Sequence, residues 1–188
     1  MSSNNSSNIL ALNKPKGYIV TRSDEKWRKT VYDLLPDWAF DDGWMPIGRL
    51  DLDSKWLLLF TKDWKIGNEL TKSWGCIKTY EILVRGHVTD MHIQSALKWV
   101  ETAIWILKVH NVEKIGNAWA KTKLRVQINE GKNRHIRRLF WAMTDPKFRT
   151  PLKVLELSRV SIGSLKLDIV SWKWRFLSQN EEHELLRY

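Results

Sequence analysis

Four apolar residues in a row, Leu57-Leu58-Leu59-Phe60, come just after a turn, Gly48-Arg49-Leu50-Asp51, that sets one carboxylate ahead of them. A short apolar run bounded by turn residues reads as a strand. Much further along, Glu130-Gly131-Lys132-Asn133-Arg134-His135-Ile136-Arg137-Arg138 crowds Lys132, Arg134, Arg137 and Arg138 around a few other side chains. A lone acid in a strongly basic chain suits a protein that must hold a polyanion while one carboxylate attacks it. Taken alone, Asp51 could equally be a turn residue pairing locally with Arg49.

Length and composition set the bounds. The 188 residues, 43% hydrophobic, fit one domain or a catalytic domain of two halves. No apolar run approaches the roughly 20 residues of a membrane span, so no membrane partner is expected. Met1 to Asn8 is Ser/Asn-rich, has neither the basic start nor the apolar stretch of a signal peptide, and reads as a disordered tail. One cysteine, Cys76, cannot form an internal disulfide, which makes a reducing cytoplasm the expected location. The net charge of +10 and the clustering of Lys132, Arg134, Arg137, Arg138, Lys147, Arg149 and Lys153 favour nucleic acid as partner. No His/Cys/Asp cluster has metal-ligand spacing and no Gly-rich loop opens a helix, so neither metal nor cofactor is expected.

Strands and helices alternate without a regular βαβ rhythm. Strands are expected at Ile9–Leu12 and Tyr18–Val20 around the turn Asn13-Lys14-Pro15-Lys16-Gly17, at Thr79–Arg85, Lys123–Asn129, Leu152–Val160, Leu165–Val170 and Trp174–Leu177. Short helices are expected at Thr30–Leu35, stopped by Pro36, at Ile66–Thr71, at Asp90–Lys98 behind a Thr89 or Asp90 cap, and at Arg134–Met143. A final turn or two should cover Glu181–Arg187. In Arg134–Met143, Ile136, Leu139, Phe140 and Met143 recur at helical spacing, which leaves Arg134, Arg137 and Arg138 for other faces. The class is α+β on a mixed sheet.

Three stretches in order, Gly48–Thr61, Lys78-Thr79-Tyr80-Glu81-Ile82 and Glu130–Arg138, resemble the RsuA/RluB/RluE/RluF-type ribosomal RNA pseudouridine synthases. The resemblance runs from Leu12 to Leu177 and implies a pseudouridine synthase fold. That fold is a mixed, mainly antiparallel sheet flanked by helices, with an active-site cleft across the sheet. It implies a single catalytic domain over residues 9–188 that isomerises a ribosomal RNA uridine, with a lean to the large subunit. No S4 domain fits in the eight residues ahead of it, so the chain looks most like the RluE-type members. By the same resemblance Asp51 is the nucleophile, Tyr80 stacks on the target base, and Lys132, with Arg134 second, pairs with Asp51 to keep it ionised. Arg49, Lys78, Arg134, His135, Arg137 and Arg138 are the expected RNA contacts. His135 stands where the family usually has Gln and is read as a contact to backbone or RNA; Leu52 stands where it usually has Arg. A monomer is expected. The rival from another class is a catalytically silent RNA-binding or ribosome-assembly protein on the same scaffold.

Twelve Trp against nine Gly is unusual, since average Gly usage would give roughly 13 in this chain. Trp64 follows Asp63 where a turn glycine would serve, and Trp99 follows a helix where Gly normally takes the left-handed position. Trp27, Trp56, Trp64, Trp99 and Trp172 all fall where the resembling family has Gly. An aromatic RNA-binding surface is one reading; UGA codons meant as glycine and translated as tryptophan is the other. Trp38, Trp44, Trp74, Trp105, Trp119 and Trp141 stay undecided between them.

Overall fold

A computed structural model of the protein describes residues 7–72, 76–166 and 168–187. Trp74, residues 1–6 of the expected tail and Leu167 of the expected strand at Leu165–Val170 lie outside the described residues. The chain forms two compact units, Met1–Cys76 with Arg159–Tyr188, and Ile77–Ser158. The first unit opens with β1 (Ile9–Lys14), α1 (Asp37–Asp41), β2 (Met45–Ile47), β3 (Lys55–Thr61) and α2 (Trp64–Lys72). The second holds β4 (Lys78–Arg85), α3 (Asp90–Lys98), β5 (Val100–Glu101), β6 (Ile106–Leu107), β7 (Asn111–Ala118), β8 (Lys121–Ile128) and α4 (His135–Trp141). Strand β9 (Lys153–Ile162) returns the chain to the first unit, which ends in β10 (Leu165–Lys166), β11 (Trp174–Phe176) and α5 (Gln179–Leu186). The class is α+β, a mixed and mostly antiparallel sheet with flanking helices.

In the first unit β1 lies between β11 and β3, antiparallel to both, with Leu10 opposite Phe176 on one side and Phe60 on the other. The apolar run therefore sits in a strand with both faces covered: Leu57, Leu58, Leu59 and Phe60 are all buried. Ile9, Ala11, Leu57, Leu59, Leu70, Leu177 and Leu185 share a core with Cys76, a free buried thiol. Beside it Trp38 stacks on Phe176 with centroids 5.9 Å apart and meets Trp174 edge-on at 5.5 Å. Ser7 and Asn8 are tied down, since Ser7 Oγ and the Asn8 N–H donate to the Glu182 carboxylate at 2.8 and 2.9 Å.

In the second unit β8 pairs with β4 and β7. Its alternation is strict, with Thr122, Leu124, Val126 and Ile128 buried and Lys121, Lys123 and Arg125 outside. The outer face carries a ladder in which Glu81 meets Lys123 at 2.9 Å and Arg125 at 3.1 Å, while Arg125 also reaches Glu113 at 3.3 Å. Helix α3 begins behind Thr89 as its spacing predicts.

Some elements differ from expectation. Tyr18–Val20 is not a strand: after Gly17, at φ +90°, the chain turns away and Ile19 makes only a single bridge with Thr30. Helix α1 follows directly on Pro36, because a proline that ends one helical turn can open the next. Strand β7 is not legible in the sequence because only Val112 among its side chains is buried. Trp64 opens α2, and Trp99 is extended at φ −168°, so neither occupies the left-handed turn expected of it.

One polar center organises the second unit's return loop. The buried Asp145 carboxylate accepts N–H groups from His87 at 2.5 Å, Lys147 at 2.7 Å and Phe148 at 2.9 Å. Gly86, at φ +118°, leaves the space this needs: a Cβ there would lie 2.7 Å from Asp145 Oδ2. Burial pushes the Asp145 carboxyl up, but the Phe148, His87 and Lys147 amides and the His87 ring outweigh it and hold it at about 2. A folded value below the ordinary 3.8 means a contribution complete above that pH and lost as pH falls through it towards about 2. Asp145→Asn is expected to cost about 2–3 kcal/mol in denaturant unfolding at pH 7, with the gap to the parent protein closing near pH 2.

Candidate active site

The turn that presents Asp51 is built from backbone requirements. Gly48 takes φ +73°, Leu50 buries its side chain as an anchor, and the Ser54 N–H closes on the Asp51 carbonyl at 3.0 Å. The turn Lys14-Pro15-Lys16-Gly17 grips it, the Gly17 N–H donating to the Leu52 carbonyl at 2.8 Å. Beneath both runs Lys14, fully buried, whose Nζ donates to the carbonyls of Ser54 at 2.9 Å, Pro15 at 3.1 Å and Asp51 at 3.3 Å. Burial lowers the Lys14 ammonium to about 8, opposed by the Asp53 and Asp51 carboxylates, which raise it. The Asp51 side chain stays half-buried, and Arg49 is exposed. Sequence reasoning overlooked Lys14. Its signal was present in the Asn-Lys-Pro-Lys-Gly turn, which reads as loop punctuation and hides a buried cation.

The second unit positions the other candidates. Tyr80 is buried in β4 opposite Val126, and Lys78, at the start of the strand, pairs with Ile128, after which the basic segment begins. Lys132 faces Glu130 across 3.6 Å. Arg134 is exposed, caps α4 and holds the left-handed φ +52°. Arg138 donates from Nε to the Asn133 carbonyl at 3.1 Å and lies 5.4 Å from the Trp105 ring centroid.

Two of the expected RNA contacts are buried, and for His135 the structure shows the backbone alternative. His135 is 3% exposed, and its Nε2 meets the Lys108 carbonyl at 2.9 Å, a backbone contact that requires the proton on Nε2. Burial lowers its pKa, which keeps the ring neutral. Arg137 is buried and donates from Nη1 to the Val154 carbonyl at 2.8 Å. It sits three residues before Phe140 and so shares that side of the helix, where the sequence pattern had assigned it to another face. The basic segment thus divides into an exposed Arg134, half-exposed Lys132 and Arg138, and a structural Arg137.

Comparison with known proteins gives consistent matches. The profile of the family described as RNA pseudouridylate synthase matches residues 8–142. A protein named ribosomal large subunit pseudouridine synthase B from Vibrio vulnificus is 34% identical over 161 residues, covering 85% of this chain and 48% of its own. A protein of the same name from Pseudomonas aeruginosa is 31% identical over 177 residues, covering 92% and 44%. This chain therefore spans about half the length of the curated relatives it matches. A crystal structure of a pseudouridylate synthase superposes with a TM-score of 0.81 over 98% of this chain and 76% of that one, at 22% identity, a likeness of fold.

Lys14→Met removes the donor shared by three carbonyls while keeping side-chain length. Each orphaned buried acceptor costs about 1–3 kcal/mol, and a misplaced reacting group can cost on the order of 100-fold in rate. The expected outcome is a lower melting temperature and, for any reaction that uses Asp51, kcat falling far more than KM rises, measured by thermal melts and by steady-state kinetics below the melting range.

Proposed function

We propose that this chain, which belongs to the RNA pseudouridylate synthase family, isomerises a uridine of ribosomal RNA to pseudouridine with Asp51 as its nucleophile. The observation that carries the reading is the Asp51 turn, whose backbone is fixed by the buried Lys14 and by Gly17 while its carboxylate remains half-exposed. A single acid so held suits a reaction that breaks C1′–N1 and forms C1′–C5 with no redox change and no group lost. The carboxylate attacks the ribose or the base, or helps expel the uracil as an anion; the freed ring turns and rejoins through C5. Tyr80 supplies the stacking ring. Lys132 supplies the catalytic cation, with Arg134 second in the same segment.

The substrate class follows from chemistry and kinship together. The net charge of +10, with Arg134 exposed and Lys132 and Arg138 half-exposed in the 130–138 segment, favours a phosphate backbone. The named function of the relatives points to ribosomal RNA and, within it, the large subunit. Arg49, Lys78, Arg134 and Arg138 are the proposed RNA contacts. No helix among the described residues is long and apolar enough to cross a membrane. We place the protein with its substrate in the cytoplasm, as a monomer.

Carbodiimide and primer-extension mapping of ribosomal RNA incubated with the purified protein tests the activity. The parent protein should create one new stop, and Asp51→Asn should abolish it while RNA affinity stays within a few-fold. An Asn variant that still turns over would remove Asp51 from the mechanism. Binding without any new stop in the parent protein would favour the silent RNA-binding alternative.

The divided basic segment gives a further expectation. Arg138→Gln should lower the slope of log affinity against log salt by about 1, as for one lost phosphate contact. Arg137→Gln should leave that slope unchanged and cost about 2–3 kcal/mol of stability, since its charged hydrogen bond is buried. Salt titrations and denaturant melts of the two variants side by side check this.

A further inference from the structure

Six non-glycine residues among those described adopt left-handed backbone: Trp27 at φ +53°, Trp56 at +86°, Trp119 at +50°, Arg134 at +52°, Arg149 at +57° and Trp172 at +73°. Four of the six are tryptophan, although tryptophan makes up only 12 of the 188 residues. Chance does not concentrate one residue type this way, and sterics oppose it. In this region Cβ crowds the following carbonyl, so Gly, Asn and Asp take it readily and bulky residues do not. The chain's own glycines occupy the same territory, from Gly163 at +55° to Gly86 at +118°.

Strained residues persist where surrounding contacts over-determine them. Nothing of that kind surrounds Trp27, 95% exposed, or Trp119, 100% exposed. Trp119 and Ala120 form the two-residue connection between β7 and β8, a place where tight hairpins ask for positive φ and where glycine serves best. Trp56 lies in β3 opposite Lys14, beside the turn that carries Asp51. Trp172 gives its N–H to the Asn13 carbonyl at 3.1 Å, and its ring meets Tyr18 edge-on at 5.4 Å. By contrast, the tryptophans that do pack, Trp38, Trp44 and Trp174, are absent from the left-handed set.

We infer that Trp27, Trp56, Trp119 and Trp172 stand at UGA codons that the source's own ribosomes read as glycine. One base separates UGA from the glycine codon GGA, and a translation that takes UGA as tryptophan writes Trp wherever UGA encodes glycine. The backbone keeps the glycine conformation because hydrogen bonds and turn geometry set it. At Trp27 and Trp119 the side chain then points into solvent because nothing evolved to receive it. The conformational argument adds Trp119 to the positions suspected from sequence and does not extend to Trp64 or Trp99, whose backbones are ordinary.

Two measurements test this. Reading the gene should show UGA at all four positions; UGG at Trp56 and Trp119 overturns the inference and leaves the tryptophans as native residues, with stacking on bases as their remaining use. Independently, the protein carrying Trp27→Gly, Trp56→Gly, Trp119→Gly and Trp172→Gly together should melt higher than the Trp-bearing chain by roughly 10 °C. Trp174→Gly, taken from the packed aromatic cluster, should melt lower. A four-glycine protein that melts below the Trp-bearing chain would show that tryptophan is favoured at these sites and would sink the idea.

Discussion

A buried ammonium holds the Asp51 turn in place. Lys14 ends β1, and its Nζ gathers carbonyls from its own turn and from both ends of the Asp51 turn. Burying a cation is costly, and the depressed Lys14 pKa reflects that cost. Carbonyl oxygens offset it, and the nearby Asp51 and Asp53 carboxylates favour the charged form. The acid is thus steadied through its main chain.

The legibility of this chain followed the physics of each signal. Leu57–Phe60, the alternation of β8 and the Thr89 start of α3 were plain in the sequence because burial and capping leave periodic or local marks. Asp51 stood out only through its resemblance to a family, since an Asp in a turn is ordinary. Lys14 was missed because buried cations have no periodicity, and Arg137 was misplaced because a charge is read as solvent-facing until a carbonyl is seen to receive it. Strand β7 left no apolar stripe. Left-handed backbone was expected from turn context at Trp64 and Trp99, which lack it, whereas Trp27, Trp56 and Trp172, which adopt it, were marked by the resembling family's Gly, and Trp119 stayed undecided because its hairpin had not been anticipated.

The basic segment shows why charge counts overstate a binding surface. Of its four cations, one is spent inside the second unit and one leans on an indole ring and a neighbouring Asn. Its histidine, held neutral by burial, serves the Lys108 carbonyl. The other two are Lys132, which faces Glu130, and Arg134, whose left-handed backbone turns the chain from strand to helix. Net charge still governs long-range attraction, but close contact falls to these few.

The unit that carries Asp51 is discontinuous. Its central strand β1 needs β11, contributed by the last part of the chain, and the Ser7 and Asn8 region is fastened to Glu182 in α5. The other unit is one uninterrupted stretch. During synthesis the continuous unit can fold as it leaves the ribosome, whereas the discontinuous one must wait for the C-terminal strand and helix. A nascent chain halted before Trp174 therefore lacks one of the two neighbours of β1, and the sheet of the acid-bearing unit stays open on that side until β11 emerges.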